Sequence, residues 1–380
     1  MATLFIETPD ATQDLKFWSS TGGTIAYDST TPTKSGPASW KMGDAGASTF
    51  SQMRALVTSL NGRMQGYLRI NDLPTADGSN MMGLYFGGGG SSIFVIKLNT
   101  SGLIILSDNA GNQFGSDGPT LSTGIWYRIT LVWNIVNTTS YNVKVFVDGV
   151  QGISASDSPT LRSASPAEIV YAYTTPGANK FANWQHAYCD DSSALNDPDD
   201  IRVTAKRPNA NGTTTDFTTQ IGVGGSGYGS GHSPQVNEQP LSTTNGWSMI
   251  GAGSAVTEEY NIENSSTGDI DISSVTLTDY LGWLYASALV SETGSIIVNS
   301  SSSNISLTSA NTMFTKIAGS TTYPAGTGAD IGIITSADLT TVSLYEGGIM
   351  FAYLALSTAQ TFPGIDQGMQ SGGFVGQRWV

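Results

Sequence analysis

The chain has 380 residues, a formal net charge of −14, 39% hydrophobic residues and only 12% Asp, Glu, Lys and Arg. Acidity of this order works against a phosphate-binding role, and Lys206-Arg207 is the one pair of adjacent basic residues, so no nucleic-acid partner is expected. The single cysteine, Cys189, excludes an intrachain disulfide, and the absence of a long apolar run excludes a helical membrane span.

Glycine (45 residues), serine, threonine and asparagine abound, whereas helix-favouring Glu, Lys and Arg are scarce. That balance predicts an all-β protein of many short strands. The length suits two domains. The opening MATLFIETPD carries an acid and a proline where a signal peptide carries basic and then apolar residues, so synthesis in the host cytoplasm without a signal peptide is expected.

In chain order, Leu4-Phe5-Ile6 reads as a short strand, Gly22-Gly23 as a turn and Trp40 as a core aromatic. Ser51–Leu60 (SQMRALVTSL) holds good helix formers and predicts one or two helical turns, ended by Asn61-Gly62. Strands are predicted at Met64–Asn71, Met81–Phe86, Ile93–Leu98 and Leu103–Ser107, with Gly87–Gly90 as a flexible hairpin tip. A Gly-rich run followed by a strand lacks the Lys-Ser/Thr and the helix that a phosphate loop needs.

The strongest pattern lies in Gly124–Gly152. Ile125, Tyr127, Ile129, Leu131 and Trp133 share one face, as do Tyr141, Val143, Val145 and Val147. Period two is the strand period, and Asp148-Gly149 fits the two positive-φ positions of a type I′ hairpin turn. Ile169–Tyr173 and Phe181–Asp191 are further strands. Asn196–Asp200 reads as an acidic turn, Ile201–Thr204 as a short strand and Lys206–Gly212 as a polar linker. Beyond it, strands are expected at Trp247–Ile250, Val256–Asn261, Ile270–Leu277, Leu281–Val290, Ser295–Val298, Ile305–Leu307, Ile331–Ile334, Thr341–Tyr345 and Ile349–Leu356.

Gly124, Trp126, Tyr127, Arg128, Ile129 and Thr130, followed by Val143, Val145, Phe146, Val147, Asp148 and Gly149, resemble a signature of the concanavalin A-like, laminin G-like jelly-roll superfamily. His186–Asp191 (HAYCDD) is similar to that superfamily's aspartate-bearing last strand. The resemblance implies a jelly-roll β-sandwich over residues 1–208, with a second β-sandwich over 209–360 and an arm over 361–380. The stretches Asp199–Thr218 and Val236–Pro240 resemble a two-domain arrangement in structural proteins of tailed bacteriophages. It implies a non-enzymatic virion protein, capsid-decorating or tail-associated, held by other virion proteins and by homo-oligomer contacts. The alternative is a carbohydrate-binding, lectin-like adhesin for surface glycans.

No carboxylate pair has the E-x-D-x-x-E spacing of jelly-roll glucanases; Glu258, Glu259 and Glu263 are the nearest cluster. No Gly-x-Ser-x-Gly elbow accompanies His186 or His232, and His186 reads as a packed or hydrogen-bonded surface residue. No cofactor is required. Calcium is the ion the acidic turns would suit, with Asp190, Asp191, Asp197 and Asp199 as candidate ligands, although aspartate is equally an ordinary turn former. A sugar-binding face would use aromatics; Trp126, Trp184, Tyr188 and Tyr228 are candidates, each of which could instead be core. In the arm, Phe362, Phe374 and Trp379 are apolar enough to pack on their own domain or on a neighbour.

Overall fold

Asp148 (φ 50°) and Gly149 (φ 85°) both take positive φ, closing the expected hairpin. The register across it pairs Val147 with Val150, and on its other side the strand before the turn pairs Val147 with Ile129, Val145 with Leu131 and Val143 with Trp133, so the two apolar faces coincide. The computed structural model describes residues 2–9, 17–34, 38–43, 51–86, 91–174, 180–217, 219–221, 246–250, 255–262, 276–299, 301–310, 312–318, 330–335 and 341–355. Gly87–Gly90, the Gly222–Gly231 loop and the 361–380 arm lie outside them.

All regular elements among the described residues are strands. The N-terminal half contributes β1 (Thr3–Glu7), β2 (Ser20–Gly22), β3 (Ile25–Asp28), β4 (Ser39–Gly43), β5 (Ser51–Leu56), β6 (Asn61–Ile70), β7 (Ser79–Tyr85), β8 (Ser92–Leu98), β9 (Ile104–Ser107), β10 (Trp126–Asn137), β11 (Ser140–Val147), β12 (Val150–Ser156), β13 (Glu168–Tyr173) and β14 (Phe181–Asp190). An eight-stranded sheet runs β12-β11-β10-β6-β14-β4-β3, with β1 also on β14, and faces a six-stranded sheet, β2-β5-β13-β7-β8-β9. Alternate residues of both inner faces, among them Trp40, Met64, Leu68, Phe94, Leu131, Trp133, Tyr171 and Trp184, form one buried core. Two amphipathic sheets hiding their apolar faces against each other is the simplest all-β solution.

The C-terminal half contributes β15 (Ile201–Lys206), β16 (Pro208–Thr215), β17 (Thr219–Ile221), β18 (Gly246–Ile250), β19 (Thr257–Ile262), β20 (Thr276–Ala288), β21 (Glu292–Val298), β22 (Ser301–Leu307), β23 (Thr312–Ala318), β24 (Asp330–Thr335) and β25 (Thr341–Leu354). The sheet β17-β18-β25-β20-β23, with β15 on β25, faces β16-β19-β24-β21-β22. Tyr260, Leu284, Ile296, Ile331, Leu344 and Phe351 belong to its core. The joint therefore changes sheets early, since β15 pairs with β25 from Ile201↔Leu354 to Lys206↔Ile349. A smaller apolar cluster joins the halves, built from Ile6 and Tyr188 on one side and Ile201, Val203, Leu281, Trp283, Met350 and Ala352 on the other.

Three expectations are corrected. Ser51–Leu56 is strand, not helix, because it is clamped between β2 and β13. Asn61-Gly62 opens β6 rather than ending a helix. Residues expected as a polar linker form β16, which pairs with β19. The apolar run Leu281–Val290 is strand as expected, merged into β20.

Gly62 is fixed by close approach. A Cβ there would stand 2.4 Å from Cζ2 of Trp133 and 2.7 Å from the Asp190 carbonyl oxygen. Gly62→Ala is expected to destabilise the fold by about 1–3 kcal/mol, since a backbone strand and a buried indole cannot both retreat. Urea unfolding checks this, and a midpoint unchanged from the native chain would refute it.

Candidate functional site

The eight-stranded sheet turns one face to the core and the other outward. Because β6, β10, β14 and β4 alternate, their outward residues are polar: Arg63, Gln65, Tyr67 and Arg69; Trp126, Arg128 and Thr130; Asn183, Gln185 and Asp190; Ser39 and Lys41. One half of this face is closed by the segment leading into β15. There Arg63 grips Asp190, with Nε 3.1 Å from both carboxylate oxygens and Nη2 2.7 Å from Oδ2. Arg128 and Thr130 donate to Asp197. Tyr67 and Arg202 donate to Asp200. Gln65 accepts the Ile201 amide at 2.9 Å and donates to the Asp199 carbonyl at 2.6 Å.

Electrostatics follow from that pairing. Burial pushes the Asp197 carboxyl up, and Arg128 and Thr130 offset this only in part, leaving it above the ordinary value. Burial also acts to raise Asp200, but Arg202 and the hydrogen bonds from Tyr67 and Arg202 outweigh it, so Asp200 is lowered. His186 lies at a bulge of β14 with φ 53°. Its Nδ1 stands 2.9 Å from the carbonyl oxygen and 3.1 Å from the amide nitrogen of Val203. It is buried, not the surface residue expected, because β15 covers it.

The four aspartates proposed for calcium do not converge. Asp190 is committed to Arg63, the Tyr188 hydroxyl and the Ser192 amide. Asp191 accepts the backbone N–H of Ala2. Asp197 faces Arg128, and Asp199 sits at φ 71° with its carbonyl engaged by Gln65. Among the described residues no group of three or more His, Cys, Asp and Glu side chains is arranged to hold a metal ion. Guanidinium and amide donors fill the positions a cation would need, so this set does not fit calcium.

In the other half, the segment 28–34 accepts hydrogen bonds from Trp126 and Asn183 and donates one to Gln185. A row crosses four neighbouring strands in register: Trp126 on β10, Arg69 on β6, Asn183 on β14 and Lys41 on β4. Trp126, Arg69 and Lys41 are half-buried, and Asn183 is fully buried. The Trp126 indole N–H donates to the Pro32 carbonyl at 2.7 Å, fixing the ring at the edge of the row. Asn183 donates to Asp28 at 3.0 Å and to the Ser39 hydroxyl at 2.8 Å. The Lys41 ammonium lies 4.1 Å from the centroid of the Phe181 ring.

Of the aromatics proposed for sugar contact, Trp126 is placed here. Trp184 is in the core and Tyr188 in the cluster between the halves, both fully buried. Tyr228 lies outside the described residues. Glu258 is buried and accepts the Phe217 amide, while Glu263 is outside the described residues. Sequence reasoning missed Arg69, Asn183 and Lys41. The alternation in Met64–Asn71 places Arg69 outward, but no local signal aligns it with Asn183 and Lys41.

No family model matches the sequence, and no curated protein matches it. Among solved structures, the chain is similar to an endo-β-1,4-glucuronan lyase from the fungus Trichoderma reesei, at 14% identity over 52% of this chain and 99% of that one, with a TM-score of 0.38. It is similar to the carbohydrate-binding module CBM66 from Bacillus subtilis, at 13% identity over 47% of this chain and 99% of that one, TM-score 0.32. It is also similar to domain 4 of AbnA, an extracellular arabinanase from Geobacillus stearothermophilus in complex with arabinotriose, at 19% identity over 48% and 81% of the two chains, TM-score 0.30.

Proposed function

We propose that the N-terminal sandwich is a non-catalytic carbohydrate-binding module, with a glycan lying along the part of the outer sheet face that presents Trp126 and Arg69. The observation that carries this reading is the cross-strand row Trp126, Arg69, Asn183 and Lys41. An aromatic ring offers a stacking plane for a sugar's C–H face, and guanidinium and ammonium groups offer donors to its oxygens, while the fully buried Asn183 between them is committed to Asp28 and Ser39. Three interstrand spacings make the row about 14 Å long, which suits an oligosaccharide better than a single ring. The absence of catalysis is supported by the carboxylates of this face. Hydrolysis of a glycoside needs an acid and a base flanking the bond, whereas Asp190, Asp197 and Asp200 each engage an arginine.

Binding to a glycan array by the full chain is the expected result. Trp126→Ala is expected to weaken the best glycan about 10-fold, equivalent to about 1.4 kcal/mol. Its cost in stability is expected to stay near 1 kcal/mol, the worth of one hydrogen bond to Pro32. A variant that binds as tightly as the native chain would sink the placement. The virion role implied by Asp199–Thr218 and Val236–Pro240 is a separate reading that rests on that sequence resemblance; no feature of the fold and no comparison links the chain to a particle. Copy number in purified particles tests it.

A further inference from the structure

The outward arginines of the eight-stranded sheet and its covering segment differ in one respect. Arg63, Arg128 and Arg202 each meet a carboxylate: Asp190, Asp197 and Asp200. Arg69 does not. Its Nε donates to the Gly124 carbonyl at 3.1 Å and its Nη1 to the side-chain oxygen of Asn71. Both acceptors are neutral, and Nη2 has no partner among the described residues. In a chain with 16 Lys and Arg against 30 Asp and Glu, a half-buried guanidinium held in place without a counter-charge stands out.

The neighbours keep that charge uncompensated. Asn71 donates to the Asn183 side-chain oxygen, and Asn183 in turn donates to Asp28. This chain aims amide oxygens toward Arg69 and amide N–H groups toward Asp28. The Asp28 carboxylate is buried and saturated: Oδ1 accepts from the amide and hydroxyl of Thr30 and the amide of Thr31, Oδ2 from the Thr31 hydroxyl and Asn183.

We propose that the glycan taken by this strip is an acidic one, with a sugar-ring carboxylate on the Arg69 guanidinium and a ring stacked on Trp126. The proposal rests on the glycan reading above. A planar fork with three of its five N–H groups left over, two of them on Nη2, fits a carboxylate, and its two fixed bonds reduce the entropy lost when the ligand arrives.

The test uses the full chain and three tetrasaccharide probes in calorimetry at 0.15 M salt: tetragalacturonate, its fully methyl-esterified form and a sulfated glucan oligomer. Tetragalacturonate is expected to bind at least 10-fold tighter than its ester, which keeps the ring and loses the charge. Arg69→Met is expected to remove that preference, and Arg69→Lys to restore only part of it. Equal binding of acid and ester by the native chain overturns the proposal and leaves the glycan reading standing. Tighter binding of the sulfated oligomer overturns the carboxylate assignment. If no saccharide on the array or in this set binds, both fall. The acid–ester comparison is made on the native chain, so it decides the matter even if an Arg69 variant fails to fold.

Discussion

Arg63→Met is expected to destabilise the N-terminal sandwich by about 3–5 kcal/mol, because it strands a buried carboxylate. Asp190 is fully buried, and Arg63 meets it through Nε and Nη2. The remaining donors, the Tyr188 hydroxyl at 3.1 Å and the Ser192 amide at 2.9 Å, carry no net charge. For a sandwich of this size the loss corresponds to a drop of roughly 6–20 °C in melting temperature. Arg63→Met combined with Asp190→Asn should regain more than half of it, since the larger part of the cost is the orphaned charge and not the lost pair. Urea unfolding of both variants decides the point. A single-variant loss under about 1 kcal/mol would mean that water reaches Asp190.

The second large effect is on acid stability. Burial, first, and then the Arg202 charge push the His186 imidazole down to about 3, with Asp200 and the Val203 backbone opposing. Lys34 adds to the depression, and the Tyr67 ring packs edge-on at 5.6 Å. The unfolded chain binds its proton near 6.5, so between about 6.5 and 3 the unfolded state carries more protons than the folded one. The contribution is fully present above pH 6.5 and is lost progressively as pH falls toward 3. It amounts to a few kcal/mol, at about 1.4 kcal/mol per unit. His186→Gln should flatten the stability profile between pH 6.5 and 4 relative to the native chain. A native profile already flat in that window would show that His186 stays solvated. The lowered carboxyls of Asp28 and Asp200 act in the same direction below their ordinary values, while Asp197 and Asp279, raised by burial, act in the opposite direction above theirs, so it is the difference between the native chain and His186→Gln that isolates the imidazole.

How much of this was legible depended on range. The β10–β11 pair and the Asp148-Gly149 turn that follows it could be read because both strand periods and the turn residues fall within Gly124–Gly152. Ser51–Leu56 could not, because its local chemistry favours helix and its strand state is imposed from afar. Arg54 is buried there only because Glu168 of β13 meets it at 2.9 Å. The same range limit governs the acidic turns. Asp190 and Asp197 look like free oxygen donors in sequence, and their neutralising arginines arrive from residues 63 and 128. Trp126 was visible as an aromatic on a strand. The row it begins was not, since its members come from four strands whose order in the sheet, β10-β6-β14-β4, has no counterpart in the order of the chain.

That strand order also sets a timetable. β1 pairs with β14 through Thr3↔Asp190 and Glu7↔Ala187, so the first strand synthesised waits for residues 180 or more positions later. The central strand β6 finds β10 first and β14 last. On a ribosome, the β10–β11–β12 meander can form while β1 and one edge of β6 still lack partners. Closure of the N-terminal sandwich is therefore expected as a single late event, triggered when Phe181–Asp190 emerges, and chains interrupted before that strand would present two open sheet edges to their neighbours.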